Sequence, residues 1–168
     1  LYSGQDFRVV KRLRDKVYFF SDEVLIEYNT TENRIVKKWS NSNLKDDLEI
    51  SSFFIFGTDA FLELAEEGIY RISGKKLIPT HLSLPDEEQI LFAEYFPRLR
   101  KTLLGSIEGH LFWFNGRSIR RFDVEEQDFL EKSQIIDVVF LSKEVIALAT
   151  LRSGCILLNP MTGKTVEV

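Results

Sequence analysis

Four stretches of the chain carry the same order of apolar runs and turns at nearly the same spacing, and no other feature narrows the fold so far. They are "KVYFFSDEVLIEYNTTENRIVKKW", "AFLELAEEGIYRISGKKLIPT", "KTLLGSIEGHLFWFNGRSIRRF" and "VIALATLRSGCILLNPMTGKTVEV". In each, an apolar run meets a short polar break, then a second apolar run, a turn and a third run. The breaks end on Gly68, Gly109 and Gly154, with Val24 near that place in the first stretch. The last apolar residue before the turn is Tyr28, Ile72, Phe114 and Leu158, at gaps of 44, 42 and 44 residues. Self-similarity at so regular a period is the mark of one supersecondary unit repeated along the chain.

The runs identify the unit. They are short and rich in β-branched and aromatic residues, as in Ile69-Tyr70-Arg71-Ile72 and Ile156-Leu157-Leu158, which is a strand pattern. Aromatic residues make up 12% of the chain, led by 14 Phe, and aromatic rings pack well on a pleated surface. Helical repeats of similar length need long stretches at 3.6-residue spacing, and Gly and Asn break these runs too often. Asn115-Gly116 predicts a two-residue type I′ hairpin turn, and Ser73-Gly74 offers similar chemistry. Residues 29–33 and 159–163 read as longer loops.

A period near 43 with three or four short strands per unit points to β-propeller blades. The expected architecture is therefore all-β: about four blades of an incomplete ring, in one domain over residues 1–168. The blade units are 6–48, 49–90, 91–134 and 135–168. "DVEEQDFLEKSQ" departs from the pattern: Asp123 with Glu126 three residues on is a capping box, which predicts a short helix near residues 123–133. Pro85 and Pro97 bracket an apolar stretch that reads as the first strand of the third blade.

Composition excludes several functions. A chain of 168 residues can bury roughly 70% of its unfolded surface in a real core. The net charge is −4, and the basic cluster Arg117, Arg120 and Arg121 is followed at once by Asp123, Glu125 and Glu126, so no nucleic-acid partner is expected. No stretch approaches the 18 apolar residues of a membrane span, so direct membrane insertion is not expected either. There is no signal peptide pattern, and the chain opens on Leu1 rather than Met, as expected of a processed product or a piece of a longer chain.

The chemistry-bearing residues read mostly as scaffold. Cys155 is the single cysteine, and a buried strand position is expected for it. Phe112 and Trp113 resemble a sugar-stacking platform, but neighbouring strand residues face opposite sides, and core packing is expected for both. His110 and His81, the latter in a predicted loop, lack Cys or acidic partners at metal spacing, so neither a metal nor a cofactor is expected. Asp86-Glu87-Glu88 and Glu125-Glu126 with Asp128 read as solvated acidic faces rather than acid–base pairs. Ser106 in "GSIEG" does not sit in a nucleophile elbow, and no glycine-rich phosphate loop is present. No catalytic, cofactor or metal residue is assigned.

The segments "AEEGIYRISGKKLIPT", "LLGSIEGHLFWFNGRSIRRFDVEEQDFL" and "IALATLRSGCILLN" resemble blades of the bacterial two-component regulator propellers, the sensor domains of hybrid histidine kinases and related regulators, often followed by a triple-tyrosine β-sandwich. The resemblance lies in the apolar run ending in Gly or Ala-Thr, the following Gly, the Leu/Ile-aromatic pair and the turn. It implies a non-catalytic periplasmic or extracellular sensor segment. Its partner would be a small-molecule or glycan ligand, or a protein. Members of that family carry more blades, a membrane segment and an output module. A homodimer or further blades would then complete the ring. A protein–protein scaffold is the alternative, and an enzyme on a propeller ranks last for want of a catalytic set.

Overall fold

The computed structural model describes residues 6–21, 23–41, 44 and 49–166. The remaining parts of 42–48, and 167–168, which end the first and last repeat units, lie outside the described residues. Among the described residues the structure is β-stranded apart from one α-helix and short 3-10 turns, and the chain divides into two compact units, Leu1–Leu82 and Ser83–Val168.

The first unit holds two antiparallel four-stranded meanders. One is β1 (Val9–Leu13), β2 (Lys16–Phe20), β3 (Val24–Asn29) and β4 (Arg34–Ser40), the other β5 (Ile50–Phe56), β6 (Asp59–Leu64), β7 (Gly68–Ser73) and β8 (Lys76–Leu82). Strand alternation puts Tyr18, Phe20, Leu25 and Trp39 of the first sheet against Phe53, Leu62 and Leu64 of the second. The Tyr18 and Phe53 rings lie 5.0 Å apart. On the far face of the second sheet the cross-strand pair Phe54 and Phe61 stack at 5.3 Å, both buried.

The second unit repeats the plan. Its four-stranded sheet is β9 (Ile90–Phe96), β10 (Lys101–Ser106), β11 (Leu111–Phe114) and β12 (Ile119–Arg121). After α1 (Gln127–Ser133) comes a three-stranded sheet of β13 (Ile135–Phe140), β14 (Ile146–Thr150) and β15 (Cys155–Leu158), with one further bridge from Leu158 to Thr165. Leu103, Leu111 and Trp113 pack with Val138, Ile146, Leu148 and Ile156 of the smaller sheet in one core. Leu104, Phe112 and Phe114 project from the opposite face and are fully buried as well. Gly105 makes room for the Phe92 ring: a Cβ there would fall 1.9 Å from Phe92 Cε1.

Three turns share one device at the same repeat position. The Oδ1 of Asn29 accepts from the N–H groups of Thr31 and Glu32, that of Asn115 from Arg117 and Ser118, and that of Asn159 from Met161 and Thr162. The side chain mimics a backbone turn. This corrects the two-residue turn expected at Asn115-Gly116. The β11–β12 loop covers residues 115–118, and of these only Gly116 has positive φ, at 88°. Two-residue hairpins stand instead at Arg14-Asp15, Gly57-Thr58 and Gly74-Lys75, between the pairs Leu13 and Lys16, Phe56 and Asp59, and Ser73 and Lys76.

The capping box is also not formed. The helix begins at Gln127, with Glu126 as its cap residue and no side-chain cap bond. Asp123 cannot cap because the segment after it is drawn away: Val124 is buried, and the Glu125 N–H donates to the Gly163 carbonyl. Gly163 permits that approach. Its φ is +72°, and a Cβ would lie 2.1 Å from the Asp123 carbonyl oxygen. Gly154 has a similar φ of +84° with open space around it. Gly163→Ala should therefore cost roughly 3 kcal/mol, from backbone strain plus overpacking, while Gly154→Ala should cost about 1 kcal/mol from strain alone. Urea unfolding of the two variants beside the parent chain measures the difference; equal losses would contradict the packing at Gly163.

Candidate functional site

Loops at one end of the second unit gather three ionisable side chains that are far apart in sequence. Glu88 follows the 3-10 turn Pro85–Glu87, His110 stands just before β11, and Glu131 lies on α1. His110 Nδ1 is 2.7 Å from Glu88 Oε1 and its Nε2 is 3.1 Å from Glu131 Oε1. Ionised carboxylates only accept hydrogen bonds, so the imidazolium form satisfies both sides, whereas a neutral ring can donate to one. The Gln127 amide donates to Glu131 Oε1 and to the Gly109 carbonyl, tying the helix to the β10–β11 loop. Gln127 first, then His110, holds the Glu131 carboxyl below its ordinary value. The Glu88 side chain is only 5% exposed, and its second oxygen has no hydrogen-bond partner.

This cluster corrects two expectations. His110 does have acidic partners, and Glu88 belongs to a buried pair rather than a solvated face. Asp86 and Glu87 do stay exposed. Both ring nitrogens are engaged by carboxylates. Among the described residues no group of three His, Cys, Asp or Glu side chains is placed to hold a metal ion.

A second buried charge cluster lies in the first unit. Tyr18 donates to Glu27 Oε2 at 3.0 Å, and Lys16 Nζ sits 2.8 Å from Glu27 Oε1. Lys37, paired across the ladder with Glu27, places its Nζ 4.3 Å from the centre of the Trp39 ring, where it has no hydrogen-bond partner. Burial pulls the Lys37 ammonium below its ordinary value against the attraction of Glu27. Burial first, then the Glu27 charge, pushes the Tyr18 hydroxyl above the tyrosine range.

A cleft of about 510 Å³ lies in the second unit. The end of β9 with Pro97 and Arg98 forms one side, and residues 138–141 form the other. Cavities of roughly 300–1,000 Å³ suit small ligands. The strands meet at the Phe96 and Phe140 rings, 5.2 Å apart. Val139 is 53% and Leu141 57% exposed.

The other residues singled out from sequence fall elsewhere. Phe112 and Trp113 are buried, as expected; Trp113 packs edge-on to Phe96 at 5.8 Å. Ser106 is buried and its Oγ accepts from the His110 N–H. Cys155 is exposed, not buried: it starts β15 on the face opposite Ile156 and Leu158. His81 lies within β8, not a loop, at positive φ beside an irregularity in the ladder. Arg117, Arg120 and Arg121 are exposed, and Arg121 Nε approaches Asp123 at 3.8 Å. Asp123, Glu126 and Asp128 are exposed, and Glu125 accepts from the Thr165 N–H.

No protein-family model matches the chain, and no curated protein matches it. Solved structures do. The extracellular domain of the BT4673 one-component system of B. thetaiotaomicron aligns over 97% of this chain with a TM-score of 0.69 at 12% identity. The extracellular domain of the BT3049 hybrid two-component system of the same organism aligns over 97% at 0.64 and 11%. YCF48, solved with a D1 peptide, aligns over 91% at 0.62 and 14%. The chain spans 22% of each B. thetaiotaomicron domain and 50% of YCF48. At these identities the likeness is one of fold, and the sheets are β-propeller-type blades. Among the described residues no helix is long and apolar enough to cross a membrane.

Two outcomes test the clusters. His110→Ala strands the buried Glu88 carboxylate and should cost about 3 kcal/mol, part of which Glu88→Gln restores in the same chain; urea unfolding of the single and double variants reads it. Tyr18 keeps its proton in the folded chain above the ordinary value near 10, while the unfolded chain loses it. The stability tied to that proton is whole below about pH 10 and is lost as pH rises beyond it. Tyr18→Phe should flatten the decline of stability above about pH 10, measured by urea melts along a pH series.

Proposed function

We propose that the chain is a non-catalytic recognition segment of a β-propeller sensor, working in the periplasm or outside the cell as part of a two-component-type signalling regulator. The observation that carries this reading is the match over 97% of the chain to the BT4673 extracellular domain, at a TM-score of 0.69. The 510 Å³ cleft between β9 and β13 is a concave surface of a size that suits a small ligand. The charged clusters support a structural part for the ionisable groups: each carboxylate of Glu88 and Glu27 is spent on holding neighbouring strands and loops. Further blades or a second copy complete the ring.

A protein-binding scaffold is the second reading, favoured by one observation: the cleft lies between two edge strands, and the structurally similar YCF48 is seen with a peptide.

Thermal unfolding of the purified chain with a panel of neutral and sulfated oligosaccharides, amino acids and small carboxylates tests the sensor reading. At least one compound should raise the melting temperature in a concentration-dependent way, without being turned over. A panel that leaves the transition unmoved, or turnover of any compound, would remove it.

A further inference from the structure

We propose that α1 is held in place by a proton: charged His110 docks the helix through Glu131, and the helix loosens from the β10–β11 loop as the pH rises through the histidine range.

α1 is a strap whose hold comes from its contacts. It has seven residues, too few for a helix to persist in water on its own propensity. At its start the Gln127 amide donates to the Gly109 carbonyl. A Cβ on Gly109 would lie 2.8 Å from the Glu131 Cα, so the loop and the helix backbone meet there. At its end Ser133 Oγ donates to Ser153 Oγ at 2.9 Å, and the Gln134 carbonyl accepts from the Leu151 N–H. Leu130 is fully buried between these ends. The helix thus ties the β10–β11 loop to the β14–β15 loop.

His110 makes the strap sensitive to protons. Its Nδ1 faces Glu88 and its Nε2 faces Glu131, at 2.7 Å and 3.1 Å. The imidazolium donates to both carboxylates, whereas a neutral ring has one N–H to give. Burial decides where that one goes. The Glu88 side chain is 5% exposed and its other oxygen has no partner, while the Glu131 side chain is 43% exposed. A buried carboxylate stripped of its donor costs more than one that water can solvate. The neutral ring therefore keeps its proton on Nδ1, and Nε2 turns a lone pair toward Glu131. Two acceptors then face each other, and the bond given up is the one that holds α1.

The surrounding charges set the window. Gln127 first, then His110, with Arg121 at the end of β12 adding to them, holds the Glu131 carboxyl below its ordinary value. Glu131 thus stays ionised on the acid side of the histidine range, where the helix is docked, and the contact is lost on the alkaline side. Asp86 and Glu87 of the 3-10 turn, Glu108 of the β10–β11 loop, Glu126, Asp128 and Lys132 at the helix and Arg152 of the β14–β15 loop are exposed, where solvent and salt screen them.

Amide hydrogen exchange of the chain, followed by NMR, tests this. The amides of residues 130–133, each corrected for its intrinsic rate, should lose about fivefold in protection between about pH 5 and pH 8, relative to the amides of β10. In Glu131→Gln the loss should vanish, because a carboxamide can accept from the imidazolium and donate to the neutral ring. In the parent chain the imidazole nitrogen resonances should show His110 as the Nδ1–H tautomer at the alkaline end. Protection that does not change with pH, an equal loss in Glu131→Gln, or an Nε2–H tautomer would overturn the proposal.

Discussion

The sheet β9–β12 buries side chains on both of its faces, and the second unit is organised around that demand. Leu103 faces Trp113 on one side while Leu104 faces Phe112 on the other, and all four are buried. A slip of one residue between β10 and β11 would exchange the two sets. The register is held at the connecting turn, where the Ser106 N–H donates to the His110 carbonyl and the Ser106 Oγ accepts from the His110 N–H. Gly105 is the concession that lets Phe92 lie over the sheet. In the first unit the pairs Phe53–Leu62 and Phe54–Phe61 obey the same two-faced rule.

Buried ionisable groups sit at the loop ends and on the inner strands β2 and β3. There they act as fasteners. His110 joins the loop at Glu88 to the helix at Glu131, and Glu27 gathers Lys16 and Tyr18 across β2 and β3. Breaking either cluster by removing one partner leaves a buried charge without compensation, which is why such groups persist in pairs. The first strands follow a different rule. β9 and β13 have a ladder partner on one side only, and the cleft along them is where backbone and apolar surface remain open.

Much of this was legible in the residues. Tyr28, Ile72, Phe114 and Leu158 mark the third strand of each sheet at a nearly constant period, because each sheet repeats the same alternation. The burial of Phe112 and Trp113 follows from their place in that alternation. The failures have physical causes. The Asp123 capping box lost to the Gly163 approach, a contact across 40 residues that local pattern cannot see. Cys155 is exposed because it opens its strand on the face away from Ile156, so its residue type outweighed its position in the reading of the sequence.

The amino-acid sequence by itself determined the all-β class, the repeat of about 43 residues and the place of the turns, since strand alternation and turn chemistry act between near neighbours. Only the tertiary structure decided which side chains meet between elements. Glu88 and Glu131 reach His110 across 22 and 21 residues, and the cleft exists because β9 and β13 come to lie beside one another. Each meeting depends on the path of a loop and the twist of a sheet, which sum over many residues and leave no mark at any one of them.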